Sequence, residues 1–140
     1  VLSWTEQLLD ALSYLHSKVP QIVHRDITPY NLTLTKDNKI KLVTYSIIKE
    51  FNPQQSKKGK SLANSQLPYL PLEVLWETLD YASQKVILNN YDEESAEILE
   101  SPIDERSDVY AVGATVYYIL TGKSPANALE RSIDLLDGKE

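Results

Sequence analysis

Apolar residues recur at helical intervals near the start of the chain: Leu8, Leu9, Leu12 and Leu15, with Trp4 and Ala11 on or beside the same stripe. The spacing predicts an amphipathic helix from Leu2 to Lys18, stopped by Pro20. His16, near its end, reads as a capping or surface residue. Ile22 and Val23 read as the end of a short strand, and a polar loop containing Pro29 follows. Leu32-Thr33-Leu34-Thr35 and Ile40-Lys41-Leu42-Val43 then alternate apolar with polar about the turn residues Lys36 to Lys39. That alternation predicts a β-hairpin with Lys or Thr on its outer face.

From Glu50 to Gln66 the chain turns polar, with Lys57, Lys58 and Lys60 around Gly59, which reads as an exposed loop. Pro68 to Leu75 opens a short helix. Residues 76–103 hold seven acidic residues against one Lys, yet also carry Trp76, Leu79, Tyr81, Val86, Ile87, Leu88, Ile98 and Leu99. That mixture is too apolar for a disordered acidic tail and predicts one or two helices in an acidic insert. The run Val109 to Leu120 is the most hydrophobic of all. Ser107 or Asp104 can cap its start, and Gly122 followed by Pro125 ends it. Apolar on nearly every side, it is expected to be a central helix buried on nearly every side. Ala126 to Leu136 reads as one more amphipathic helix.

Composition narrows the function classes. At 140 residues, with 42% hydrophobic and 24% charged content, the chain is ordinary for a globular protein. A net charge of −6 argues against a nucleic-acid surface, which would need a basic stripe. The absence of Cys removes disulfides and thiolate metal sites and allows a reducing cytoplasm, where we place the protein. No apolar run is long enough to span a bilayer. The chain contains no Met, so we expect it to be a piece of something longer.

The candidate chemistry lies in His24-Arg25-Asp26-Ile27-Thr28-Pro29-Tyr30-Asn31. A carboxylate that orients a hydroxyl and an amide oxygen that holds a metal, five positions apart, are what a phosphoryl-transfer site needs. This stretch resembles the His-Arg-Asp-x-x-x-x-Asn catalytic loop of the protein kinases. Asp104-Glu105-Arg106-Ser107-Asp108-Val109-Tyr110, Gly113 and Leu120-Thr121-Gly122-Lys123-Ser124-Pro125 resemble further runs of the same family, in the same order. Tyr69 and Glu73 stand where the family has Tyr-x-Ala-Pro-Glu, with Pro71 one place early. The resemblance covers the chain apart from the insert, and its flavour is similar to that of bacterial serine/threonine kinases. It implies an α+β fold, the mainly helical C-terminal lobe of a kinase with a small β-hairpin at the catalytic loop. Residues 1–140 would form that lobe in part, without the small lobe and the last helices.

The resemblance also implies roles. Asp26 would accept the proton of the substrate hydroxyl, and Asn31 would bind Mg²⁺. Arg25 would pair with a phosphorylated Ser56, Ser61 or Ser65. His24 would stack on Tyr45, Asp108 would hold the loop backbone, and Glu73 would pair with an Arg beyond the chain end, all structural roles shared with Gly113. ATP and Mg²⁺ are the implied cofactors, and a protein substrate or signalling partner the implied ligand.

Two positions depart from the family pattern. Thr44-Tyr45-Ser46 stands in place of Asp-Phe-Gly, so the cofactor site has a neutral hydroxyl where Mg²⁺ prefers a carboxylate. Thr28 stands in place of the Lys that steadies the transferred phosphoryl group, and Tyr30 supplies no substitute cation. Phosphoryl transfer rests on positioning and charge neutralisation. The sequence therefore predicts an impaired kinase or a pseudokinase. The alternatives are a working kinase with an unorthodox metal site, a kinase-like binding scaffold, and a decayed segment without function.

Overall fold

The computed structural model describes residues 1–43, 65–76, 78–89, 91–100, 102–136 and 138. Helix α1 (Leu2–His16) buries Leu8 and Leu12, two members of the predicted stripe. Antiparallel strands β1 (Leu32–Leu34) and β2 (Ile40–Leu42) pair Leu32 with Leu42, Thr33 with Lys41 and Leu34 with Ile40. The strands are each a residue shorter than the alternation predicts. Thr35 leaves the ladder because it closes the turn: its N–H donates to the Lys39 carbonyl at 2.8 Å, and its hydroxyl accepts from the Lys39 N–H at 3.0 Å. The hairpin docks on α1, where Gln7 Oε1 accepts from the Ile40 N–H at 2.9 Å.

The strand expected at Ile22 and Val23 is absent: that stretch has no regular secondary structure and pairs with neither described strand. The next two backbone N–H groups, of His24 and Arg25, go to a side chain instead, as described below. A single 3₁₀ turn, Pro29–Asn31, then leads into β1, with Pro29 at a position where a missing N–H is harmless.

After a second 3₁₀ turn (Leu67–Tyr69) come α2 (Leu72–Trp76), α3 (Tyr81–Leu88), α4 (Glu93–Glu100), α5 (Glu105–Thr121) and α6 (Ala128–Leu136). Asp80 caps α3 by accepting from the Ser83 N–H, and Asp104 caps α5 by accepting from the Arg106 N–H. Gly122 ends α5 at φ 69°, a left-handed value that a residue without Cβ takes at little cost. Asn127 and Glu130 exchange side-chain-to-backbone bonds at the start of α6, a capping box.

Two apolar clusters hold these elements. Leu12, Ile27, Ala111 and Val112 form the first, with Leu15, Leu42 and Val116 against it, so α1, the loop, β2 and α5 meet there. Trp76, Ile87 and Leu99 form the second, with Leu72, Leu79, Leu88, Tyr91 and Leu129 around them. Each fully buried side chain of this kind contributes roughly 1.5–3 kcal/mol. The acidic stretch is thus folded onto α2 and α6 through its apolar positions, while Asp80, Asp92, Glu93 and Glu97 stay exposed.

One expectation is corrected at α5. Its buried face is Ser107, Asp108, Ala111, Val112 and Thr115, whereas Val109, Tyr117 and Leu120 are exposed, Leu120 at 64%. The helix is covered on one side only among the described residues. On the uncovered side Tyr110, Gly113, Tyr117, Pro125 and Arg131 help line a cavity of about 630 Å³.

Candidate functional site

The site is built around Asp108, in the first turns of α5. Its carboxylate is 0% exposed and accepts three bonds. The His24 N–H donates to Oδ2 at 2.8 Å, the Arg25 N–H to Oδ1 at 2.8 Å, and His16 Nε2 lies 2.8 Å from Oδ2. A buried carboxylate is tolerated only when its oxygens are satisfied in this way. Two successive N–H groups aimed at one anion require a sharp local turn, and Arg25 accordingly sits at φ 62°. A non-glycine residue there costs on the order of 1–3 kcal/mol, which the Asp108 bonds offset. Thr115, about two turns further along α5, donates its hydroxyl to the Ile27 carbonyl in a long 3.4 Å contact.

This anchoring presents Asp26 on the loop, half-buried, with Asn31 beside it. Asn31 Nδ2 donates to the Asp26 carbonyl at 2.8 Å, which commits the amide nitrogen and leaves the amide oxygen as the acceptor. The Asn31 carbonyl accepts from the Val43 N–H at 2.8 Å, tying the end of β2 to the loop. Arg25 is exposed next to Asp26. His24 is buried, and burial pushes its imidazole below the ordinary histidine range, against the opposing pull of Asp108 and Asp26. It is therefore neutral at pH 7, with Nδ1 facing the Asp26 N–H at 3.4 Å.

The other sequence-chosen residues are placed as follows. Thr28 is 1% exposed, so its hydroxyl is not presented at the surface beside Asp26. Glu73 Oε1 accepts from the Ser107 hydroxyl at 2.8 Å, a partner on the first turn of α5. A Cβ at Gly113 would meet nothing within 4 Å. Thr44 and Tyr45 lie outside the described residues, as do Ser56 and Ser61, whereas Ser65 is exposed.

Two participants were missed in the sequence. His16 is not a surface cap: its side chain is 15% exposed and reaches Asp108. Gln66 Nε2 donates to Asp26 Oδ1 at 3.1 Å from 40 positions away. Neither carries a local signal, because each partner is distant in sequence.

The resemblance assigns Mg²⁺ and ATP to Asn31 and Thr44, of which only Asn31 lies among the described residues. Among the described residues no group of three or more His, Cys, Asp or Glu side chains could hold a metal ion. The described site offers the Asn31 amide oxygen near Asp26, and the sequence puts a neutral Thr at position 44.

Comparison with known proteins agrees with this arrangement at the level of family. Residues 1–137 match the family model described as the protein kinase domain. Serine/threonine-protein kinase PKH1 of Saccharomyces cerevisiae is 32% identical over 128 residues, covering 89% of this chain and 14% of the relative. The 3-phosphoinositide-dependent protein kinase 1 of Arabidopsis thaliana is 35% identical over 123 residues, covering 87% of this chain and 21% of the relative. Sperm motility kinase 2B of Mus musculus is 27% identical over 124 residues, covering 88% and 20%. The chain thus spans about a fifth or less of the length of these relatives. With its α5 carboxylate holding the loop of Asp26 and Asn31, and with residues 1–137 matching the family's model, the chain belongs to the protein kinase family.

Proposed function

We propose that this chain is part of a serine/threonine protein kinase domain that transfers phosphate poorly or not at all. The observation that carries the reading is Thr28. Where the family has a Lys to meet the phosphoryl group, this chain has a neutral side chain that is 1% exposed. Thr44, the neutral residue at the metal-binding position, removes a second charge. One preorganised donor of charge stabilisation is worth roughly 10²–10³ in rate, so the two losses together weigh heavily. In any remaining transfer, Asp26 would accept the hydroxyl proton of a protein Ser or Thr, Asn31 would turn its amide oxygen to a cation, and Arg25 would pair with phosphate on a residue such as Ser65.

A second reading, a kinase-like binding module in signalling, is favoured by the insert. Its helices α3 and α4 are packed through Trp76, Ile87 and Leu99, with carboxylates outward, so the stretch forms a body with a defined surface. No described helix is long and apolar enough to cross a membrane. Our placement in the cytoplasm rests on the absence of Cys. The likeness to bacterial members rests on local wording of the sequence, and the relatives compared come from yeast, plant and mouse.

Calorimetric titration of the full-length protein with ATP and Mg²⁺ tests the impairment. Binding is expected to be weak and to strengthen in the Thr44→Asp, Thr28→Lys double variant. Tight Mg²⁺-dependent binding by the unaltered protein would contradict the reading.

A further inference from the structure

Three Ser or Thr residues of the chain stand directly before a Pro: Thr28, Ser101 and Ser124. Thr28 is 1% exposed, and Ser101 lies outside the described residues. Ser124 is exposed, on the loop between the Gly122 end of α5 and the start of α6. A residue before Pro is held to extended backbone, the form in which a substrate chain enters a kinase cleft. Pro125 itself has no N–H, so it fills an apolar pocket there without stranding a donor.

The Ser124 hydroxyl is also tied to the fold. It lies 3.3 Å from the hydroxyl of Tyr69, which is fully buried and edge-on to Tyr118 of α5, with ring centroids 6.4 Å apart. That separation is long for two hydroxyls, and a change of χ1 well would carry the serine oxygen outward. Tyr69 closes the turn Leu67–Tyr69, its N–H donating to the Gln66 carbonyl at 2.9 Å. Lys123 adjoins Ser124, and Arg131 lines the cavity beside Pro125, both of them exposed cations. Glu130, the carboxylate nearest in sequence, accepts from the Asn127 N–H at 3.2 Å. The loop thus has positive charge with which to receive a phosphate.

We propose that Ser124 is a phosphorylation site for a proline-directed serine/threonine kinase, and that its modification releases Tyr69. The γ-phosphoryl group of ATP passes to Ser124 Oγ. The bond from that phosphorus to the ADP oxygen breaks, the bond from Oγ to phosphorus forms, and the hydroxyl proton goes to the modifying enzyme's base. A phosphoserine carries a charge of about −1.5 to −2 at pH 7, and such a charge is disfavoured beside a buried phenol. The modified side chain turns to solvent, and the Tyr69 hydroxyl loses the partner that the structure gives it. The turn Leu67–Tyr69 is thereby loosened from the end of α5.

The test treats the full-length protein with ATP and a purified proline-directed kinase, and maps phosphate by fragment mass spectrometry. An Asp26→Asn background ensures that any phosphate comes from the added enzyme, whatever this chain's own activity. Phosphate is expected on Ser124 and is expected to vanish in Ser124→Ala. In Pro125→Ala the rate at Ser124 should fall about tenfold, because the new N–H has no partner in the modifying pocket. No phosphate on Ser124, phosphate confined to Ser101, or an unchanged rate in Pro125→Ala would overturn the site. The release of Tyr69 is read by thermal denaturation. Fully modified protein and Ser124→Ala should both melt about 2–4 °C below the unmodified protein. An unchanged melting temperature after complete modification would overturn the link to Tyr69.

Discussion

Asp108 and Arg25, 83 positions apart, meet through a 2.8 Å bond from the Arg25 N–H to Asp108 Oδ1. With the equal bond from His24, it is the link that turns a polar loop into a defined site. Removing the carboxylate would strand two loop N–H groups, each worth roughly 1–3 kcal/mol if unsatisfied. Asp108→Ala is therefore expected to destabilise the domain by about 3 kcal/mol. Asp26→Ala, which loses one bond from Gln66 at a half-buried position, should cost less than about 1 kcal/mol. Thermal denaturation of the two variants checks the contrast, and a larger loss in Asp26→Ala would reverse the division between scaffold and chemistry.

His24 makes stability depend on pH. Burial lowers its folded-state pKa below the ordinary value of about 6.5. The unfolded chain thus binds the proton more readily, and stability falls as pH drops through and below about 6.5. The loss of melting temperature between about pH 7.5 and pH 5.5 should be smaller in His24→Phe than in the unaltered protein. His16 is common to both proteins. Equal slopes would mean that His24 does not carry the linkage.

Local structure was legible wherever the partners are near in sequence. The Leu8 and Leu12 stripe, the alternation about Lys36 to Lys39, the Asp104 cap and the Gly122 stop all act within a turn or a hairpin, and each appears in the structure. The errors share one cause, a distant partner. Ile22 and Val23 have strand-like character, but the chain beyond them finds Asp108 rather than a neighbouring strand. His16 and Gln66 look like surface residues until α5 and the turn at Tyr69 bring their partners to them. The uncovered side of α5 was misjudged because apolar composition shows what a helix can bury, and not what is packed against it.

The two glycines of the α5 region should respond in opposite directions. Gly122 holds φ 69°, so Gly122→Ala is expected to cost about 1 kcal/mol. Gly113 lies inside the helix with open space around its Cβ position, so Gly113→Ala should be neutral or stabilising by up to about 1 kcal/mol. Chemical denaturation of both variants measures the signs. A destabilised Gly113→Ala would show that something packs over that face of α5 in the full-length protein.

Thr28 gives a further test of how its position is used. A Lys there would bring a charge into a place with 1% exposure and should cost about 1–3 kcal/mol. Thr28→Lys is thus expected to melt earlier than the unaltered protein. An unchanged melting temperature would mean that the side chain at position 28 has a ready path to solvent.

Transfer of labelled phosphate from ATP by the full-length protein, with Asp26→Asn as the control, tests the central claim most directly. Impairment at Thr28 and Thr44 predicts incorporation no greater than in the control. Incorporation that is robust in the unaltered protein and vanishes in Asp26→Asn would establish a working kinase and contradict that claim.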